Sequence, residues 1–369
     1  MKSNKVRVLI PDAEWEILTN HVKNCFSTND DVELYLMSNR KDTPNRFSRF
    51  IAHFSYYPKT DIASQWIKYI NIEVEKFRID FILPIYEHGI RTLIEHKGLL
   101  EDSSKLGLMP TLLNFDTANN KKLLAAHLYK NSIPTPVDYA IGDDNYEFPI
   151  IVKPVEGEEG GSGIHVFQEK EAFAIWLQKE KNDKKYLIQK YVEGYDIDCS
   201  VLCKDGEIKG YTIQKGVLYS RKKYSPAIGL EFLHEKELFK VVKKLMKSLS
   251  WSGIAHVDLR YDESDKQFKV IEINTRFWGS LDASLIAGVN FPYLYYLLSK
   301  GRSFVFLHYK LVSFLSLKGL MKRIRQQAGF ITKFNYIVGN TSFRYVIKDP
   351  VPFFVKVLLI LKTKFSSKD

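Results

Sequence analysis

Apolar residues in this chain follow two alternating rhythms. Short strand-like runs, the β-branched Val6–Ile10 and then Val32–Met37 and Asp80–Ile85, alternate with stretches at helical spacing, the first from Glu14 to Cys25. Strand, helix, strand in succession predicts a small open α/β domain with a parallel sheet over residues 1–108. Asp116 or Thr117 then caps a predicted helix to about Lys130, which the two prolines of SIPTP end. An apolar strand, Phe148–Val152, closes on Lys153-Pro154 and opens into EGEEGGSGIHVF, a glycine-rich loop that returns to a strand. A helix (170–179), a strand (186–189) and a Glu193-Gly194 turn follow. Two strands around Lys204–Gly206, a basic loop at 221–223 and a helix over 236–249 come next. From about residue 301 basic and apolar residues mix, and Pro350 and Pro352 open a terminal amphipathic helix. Its two readings are a helix docked on the core and one lying on an anionic membrane surface.

The segment IAHVDLRYDESDKQFKVIEINTRFWGS, residues 254–280, carries the most chemistry. Ile254–Tyr261 and Phe268–Thr275 alternate around a polar turn, as the strands of a hairpin do. His256, Asp258 and Arg260 then share one face of the first strand, and Glu272 and Asn274 one face of the second. Val257, Leu259, Val270, Ile271 and Ile273 form the apolar side. If the polar faces coincide, two carboxylates and an amide oxygen converge, with Arg276 just beyond. Hard oxygen donors of this kind suit Mg²⁺. A solvated hairpin face is the competing reading of this segment alone.

A phosphate-binding reading gains support upstream. Lys153 ends an apolar strand, where a long cationic side chain can reach α- and β-phosphate oxygens. Gly160, Gly161, Ser162 and Gly163 lack bulk that would keep main-chain amides from phosphate. The segment fits neither GxxxxGK[ST] nor the dinucleotide GxGxxG.

Bulk composition narrows the classes. The chain has 369 residues, of which 45% are hydrophobic and 26% charged, ordinary for globular domains. Its formal net charge of +11 favours acidic partners. The lysines are dispersed and no nucleic-acid motif occurs, so no nucleic-acid partner is expected. Cys25, Cys199 and Cys203 show no metal spacing and read as reduced thiols. MKSNKVRVLIPD enters a strand without an apolar leader, and no apolar run reaches the roughly 18–20 residues of a membrane span. A cytoplasmic protein is expected, with peripheral contact at the inner membrane surface through the C-terminal segment as the membrane alternative.

Taken together, these segments resemble the ATP-grasp superfamily, of the carboxylate–amine ligase type, across residues 109–300. The resemblance implies an α/β fold: a small N-terminal domain (1–108), a grasp domain in two subdomains (109–189 and 190–300), and a basic helical C-terminal segment (301–369). FPIIVKP with the glycine loop resembles the strand–loop–strand that clamps ATP phosphates, with Lys153 as phosphate lysine. TANNKKLLAAHLYKNSIPTP resembles the preceding helix, with Lys121 as its ATP-contacting lysine. Asn120 stands where the family usually has aspartate. LIQKYVEGYDIDCSVL resembles the adenine hinge. Lys190, Tyr191 and Val192 would then read the adenine edge, Gln189 would sit beside it, and Asp196 would bind ribose. Asp258, Glu272 and Asn274 match the Mg²⁺ ligands, with Mn²⁺ as a substitute ion, and Arg276 matches the cation on the transferring phosphoryl group. His256 and Arg260 would face the acyl phosphate or the acid.

The implied reaction is ADP-forming: ATP activates a carboxylic acid as an acyl phosphate, and an amine displaces phosphate. The acid and amine would be anionic, small or glycan-linked, as with an amino acid joined to a sugar acid of a surface glycan. Glu87, at the end of ILPIYEHGI, is a further candidate for substrate contact, as are Arg221, Lys222 and Lys223. Glu156, Glu158 and Glu159 place unexpected negative charge in the phosphate loop. A homodimer is the expected assembly where one forms. Rival readings are ligation to a peptide or protein, and nucleotide binding without catalysis.

Overall fold

The computed structural model describes residues 5–142, 145–155, 163–180, 185–221, 225–306 and 308–366. The chain forms two units, one of residues 1–112, 252–254 and 276–369, the other of residues 113–251 and 255–275.

The first unit opens with β1 (Val6–Ile10), α1 (Glu16–Phe26), β2 (Val32–Ser38), β3 (Ile51–Tyr56), α2 (Ala63–Phe77), β4 (Phe81–Ile82) and α3 (Glu87–Glu95). The strands run parallel in the order β3-β2-β1-β4. Chain order reverses between β1 and β4, so their carboxyl ends flank a switch point of the sheet. The alternation did not single out β3, because an edge strand leaves its IAHFSY side chains half-exposed. The strand expected over Asp80–Ile85 pairs only at Phe81–Ile82. Beyond it the Asp12 carboxylate accepts the N–H groups of Ile85 and Tyr86 at 3.0 Å, in place of a sheet partner.

The second unit begins with α4 (Leu112–Asn119) and α5 (Lys121–Lys130), where one helix was expected. Asn120 separates them: its backbone is extended and its side chain accepts from the N–H groups of Lys122 and Leu123. Such a cap satisfies otherwise orphaned helix donors and starts α5 on Lys121. A sheet of β5 (Asp138–Tyr139), β6 (Ile150–Pro154), β7 (His165–Phe167) and β8 (Tyr186–Lys190) follows in the order β5-β8-β6-β7. α6 (Lys170–Lys179) covers it, with Phe173 packed against Ile150, Val152 and Ile188.

The larger sheet of this unit contains β9 (Gly194–Lys204), β10 (Glu207–Leu218), β11 (Gly229–Phe232), β12 (Gly253–Asp262) and β13 (Gln267–Asn274), in the order β13-β12-β9-β10-β11. α7 (Lys236–Ser248) packs against β9, β10 and β13, burying Leu238, Val242, Leu245 and Met246. Cys199 and Cys203 are fully buried, and burial raises both thiols, so they serve packing.

The chain then returns to the first unit with α8 (Leu281–Ile286), α9 (Phe291–Ser299), β14 (Ser313–Leu315), α10 (Leu317–Gln326), α11 (Phe334–Asn340), α12 (Phe343–Lys348) and α13 (Pro350–Ser366). Aromatic contacts tie this segment to the parallel sheet, among them Phe81 on Tyr295 with centroids 5.9 Å apart. Asp349 at the α12–α13 junction is buried and accepts from Lys23 Nζ at 2.8 Å. Among the described residues no helix is long and apolar enough to cross a membrane.

Candidate active site

The hairpin forms as its alternation predicts, with one irregularity that matters. His256 stands opposite Asn274, Val257 opposite Ile273 and Asp258 opposite Glu272; the register then shifts, so that Leu259 meets Val270. Ile271 is the extra residue. It is half-buried, whereas Val257, Leu259, Val270 and Ile273 are buried on the apolar side. The bulge interrupts the ladder just before Glu272, and Asp258, Glu272 and Asn274 are grouped on the polar face. Asn274 Nδ2 lies 3.2 Å from Asp258 Oδ2.

β9 contributes two groups to the same face. Asp198 and Ser200 lie beside His256: Ser200 Oγ is 2.9 Å from Nδ1, while Nε2 is 3.2 Å from Asp258 Oδ1 and 4.0 Å from Asp198 Oδ2. His256 is buried, so these contacts fix its ring between two carboxylates. Asp198 was not singled out from the sequence. The signal was there, since DID places it on the same strand face as Asp196.

Crowding sets the protonation of this face. Asp198 is pushed up to about 7, by burial first and by the Asp196 charge second. Asp258 is raised well above the usual carboxylate range by burial, then by Asp198 and Glu272. Burial acts to raise Glu272 too, but the Lys121 ammonium, a hydrogen bond with Asp258 and the Lys153 ammonium outweigh it and hold Glu272 low. Lys121 Nζ is 3.4 Å from Glu272 Oε2. Several carboxylates forced together beside an amide oxygen form a hard donor set whose repulsion a divalent cation relieves. The residues present therefore fit Mg²⁺.

Lys153 is buried at the end of β6, where its Nζ donates to Gln189 Oε1 at 3.1 Å. Gln189 in turn donates to Asp138 Oδ1 at 2.7 Å, its direct partner across the β5–β8 ladder. No sequence signal pointed to Asp138. Burial pushes Lys153 down to about 8, with Lys121 adding to the effect and Glu272 opposing it. β6 and β7 form the antiparallel frame around the glycine loop. Gly163 takes a left-handed φ of 68°, which favours glycine. Gly160, Gly161 and Ser162 lie outside the described residues, as do Glu156, Glu158 and Glu159.

The hinge segment is organised by Arg260. Its guanidinium donates to Val192 O at 2.6 Å, to Gly194 O at 2.8 Å and to Tyr191 Oη at 3.3 Å, and it pairs with Asp196. Arg260, expected toward the acyl phosphate or the acid, makes these contacts with residues 191–196, and Asp196, expected on ribose, is its ion-pair partner. The Tyr191 N–H is bonded to Pro149 O at 2.9 Å. The Lys190 N–H is bonded to Val137 O at 2.8 Å, and its ammonium pairs with exposed Glu147.

The first unit holds the other two candidates. Arg276 Nε is 2.7 Å from Glu87 Oε1, and its guanidinium stands over the Tyr86 ring, 5.5 Å from the centroid. Asp12 shapes this corner from the end of β1, and Gly89 makes room for it: a Cβ there would sit 2.6 Å from Asp12 Oδ2. Arg221 is exposed, whereas Lys222 and Lys223 lie outside the described residues.

Residues 118–280 match the family model of the ATP-grasp domain. A carbamoyl-phosphate synthase of Methanobrevibacter smithii is 27% identical over 215 residues, 54% of this chain and 57% of that protein. A D-alanine–D-alanine ligase of Pseudomonas entomophila is 25% identical over 230 residues, 56% of this chain and 69% of its own. The chain thus spans 57% of the first relative and, for a D-alanine–D-alanine ligase of Prochlorococcus marinus, 47%. Among solved structures, N5-carboxyaminoimidazole synthetase of Staphylococcus aureus, complexed with ADP, aligns with a TM-score of 0.69 at 14% identity, covering 90% of this chain and 87% of that one. An L-amino acid ligase of Bacillus licheniformis aligns at 0.58 and 16%, covering 81% and 74%. The chain has the α/β fold of these solved structures, and the stretch that matches the ATP-grasp domain model lies mostly in the second unit.

Proposed function

We propose that this ATP-grasp chain is an ATP- and Mg²⁺-dependent ligase that joins a carboxylic acid to an amine through an acyl phosphate, releasing ADP and phosphate. The observation that carries the reading is the single polar face holding Asp258, Glu272 and Asn274, with Lys121 3.4 Å from Glu272. Mg²⁺ held by Asp258, Glu272 and Asn274 would neutralise charge on the phosphate oxygens. Phosphoryl transfer asks of a protein mainly positioning and charge stabilisation, and these are what the side chains offer.

In the proposed sequence, a carboxylate oxygen of the acid attacks the γ-phosphorus of ATP and ADP leaves. The amine then attacks the acyl carbon, the bond from carbon to the phosphate oxygen breaks, and the amine proton is lost. Lys153 and Lys121 are assigned to the phosphates. The Gly160–Gly163 loop is assigned as their cover. Lys190, Tyr191 and Val192 are assigned to adenine, Gln189 lies beside it, and Arg260 is assigned a positioning role on this segment through Val192 O. Asp196 is assigned to ribose, His256 to the metal-ligand face, and Arg276 with Glu87 to the reacting phosphoryl group and the substrate. The formal charge of +11 favours an anionic acid, of which a sugar acid of a surface glycan is one case.

The test is ADP release with pooled carboxylic acids and hydroxylamine, wild type beside Glu272→Gln. Acid-dependent ADP and hydroxamate, both lost in the variant, support the reading. Nucleotide binding without turnover on any acid or amine pool, peptides included, contradicts it.

We also propose a cytoplasmic location with contact at an anionic membrane surface through α13. Val351, Phe354, Leu358 and Leu361 are exposed along this helix, while Lys356 pairs with Glu16 at 2.7 Å. An exposed apolar stripe accompanied by lysines is the pattern of helices that lie in a lipid interface. Vesicle association unchanged on removal of residues 345–369 contradicts it.

A further inference from the structure

The first unit contains a pocket of about 330 Å³ remote in sequence from the nucleotide-binding segments, lined in part by Thr28, Asn29, Asn290, Tyr293, Arg344 and Lys348. Arg344 and Lys348 are one helical turn apart on α12, so their side chains emerge on one face. Neither is in an ion pair among the described residues, and the neighbouring acid, Asp349, is taken by Lys23 at 2.8 Å.

The opposite wall is ordered by its own hydrogen bonds. Asn290 Nδ2 donates to Cys25 O and Asn29 Oδ1, each at 2.9 Å, and Asn290 Oδ1 accepts from the Tyr293 N–H. Tyr293 Oη donates to Asp31 at 2.9 Å, so its proton is committed outside the pocket. Asn29 Oδ1 also accepts from Thr28 Oγ1 at 3.2 Å. With its carbonyl engaged twice, the Asn29 amide presents its NH₂ group as a donor. Gly288, also in the wall, has a left-handed φ of 100° and open space where a Cβ would stand.

An Arg, a Lys and an amide donor around a concavity of this size form a receptor for an oxyanion; a guanidinium in particular matches phosphate oxygens two at a time. We infer that the structure assigns a second anion site here, one that takes a phosphate group carried on a small ester. The inference is independent of the ligase reading. Two sources share that chemistry, a free phosphate ester and the headgroup of an anionic phospholipid. α13 begins two residues after Lys348 and carries the exposed apolar residues, which makes the lipid source physically reasonable.

The experiment is calorimetric titration of the full chain with glycerol 3-phosphate and inorganic phosphate. Alongside it, the chain is co-sedimented with phosphatidylcholine vesicles with and without phosphatidylglycerol. Three variants are compared: Arg344→Gln/Lys348→Gln, the charge-preserving Arg344→Lys/Lys348→Arg, and Lys243→Gln/Lys247→Gln, which removes the same charge from exposed positions of α7. A loss of about tenfold or more in affinity confined to Arg344→Gln/Lys348→Gln supports the site. If it appears with the soluble esters only, the source is a free phosphate; if with phosphatidylglycerol only, it is a headgroup. Equal binding by the first and third variants and wild type overturns the proposal, as does no binding by wild type in any arm. An equal loss in the first and third variants overturns it too, because the attraction is then unspecific.

Discussion

Asp258 and Glu272 stand directly across from each other in the β12–β13 ladder, one step before the register shifts. Two carboxylates so placed repel unless a proton or a cation lies between them, and Asp258 is accordingly held high by burial, Asp198 and Glu272. A carboxyl raised on folding removes stability as pH climbs from its unfolded to its folded value. Asp258→Asn should therefore raise the stability of the metal-free protein, by about 1 kcal/mol. It should also abolish the rise in Tm that Mg²⁺ gives wild type. Thermal melts at neutral pH, with and without Mg²⁺, check both; a metal-free variant less stable than wild type contradicts the argument.

Lys153 gives a pH signature. Its ammonium titrates at about 8 because burial disfavours the charge. Affinity for ATP should fall by about tenfold per pH unit above that value, and Lys153→Met should bind weakly with a flat profile. The stability linkage has the opposite sign: the unfolded chain binds more protons between about 8 and the ordinary lysine value near 10.4, so this group adds stability as pH rises through that window. Nucleotide binding from pH 7 to 9.5, followed by fluorescence, decides the first point.

Arg260 holds residues 191–196 through Val192 O, Gly194 O, Tyr191 Oη and Asp196. Arg260→Ala should leave two carbonyls without their charged donor, at about 1–3 kcal/mol each. It should raise KM for ATP more than it lowers kcat, because the residue positions the hinge. A fall in kcat alone, with KM unchanged, would place Arg260 at the reacting atoms instead.

The same hinge depends on Gly194, whose φ is +145° and whose added Cβ would sit 1.9 Å from Tyr261 O. That contact is with backbone, which cannot rotate away. Gly194→Ala should destabilise the chain by about 3 kcal/mol or more, read as a drop in denaturation midpoint. A change below about 0.5 kcal/mol would mean the turn is softer than drawn.

Much of the site is legible in the sequence itself. Alternation in IAHVDLRY and FKVIEINT placed Asp258, Glu272 and Asn274 on polar faces because one side of the hairpin packs against α7, and burial on one side enforces register. The bulge at Ile271 changes the phase of the buried positions from Phe268 and Val270 to Ile273, but Ile271 is itself apolar, so the run VIEI does not reveal which residue is extra. Helix α5 starts at Lys121 because Asn120 caps it, a local choice that helical periodicity alone does not reveal. Asp138 escaped notice because a two-residue edge strand has no period to detect. Arg260 shares a strand face with Asp258, yet its length carries the guanidinium to carbonyls in another loop; face assignment fixes where a side chain starts, not where it ends.

Isotope transfer separates an acyl phosphate from any other activated form of the acid. Once acid-dependent ADP release has identified a carboxylic acid, that acid is supplied with ¹⁸O in its carboxylate and the released phosphate is read by mass spectrometry. Attack on the γ-phosphorus followed by displacement at carbon predicts one ¹⁸O in each phosphate released, with ADP as the nucleotide product. Unlabelled phosphate, or ¹⁸O in AMP accompanied by pyrophosphate, would contradict it.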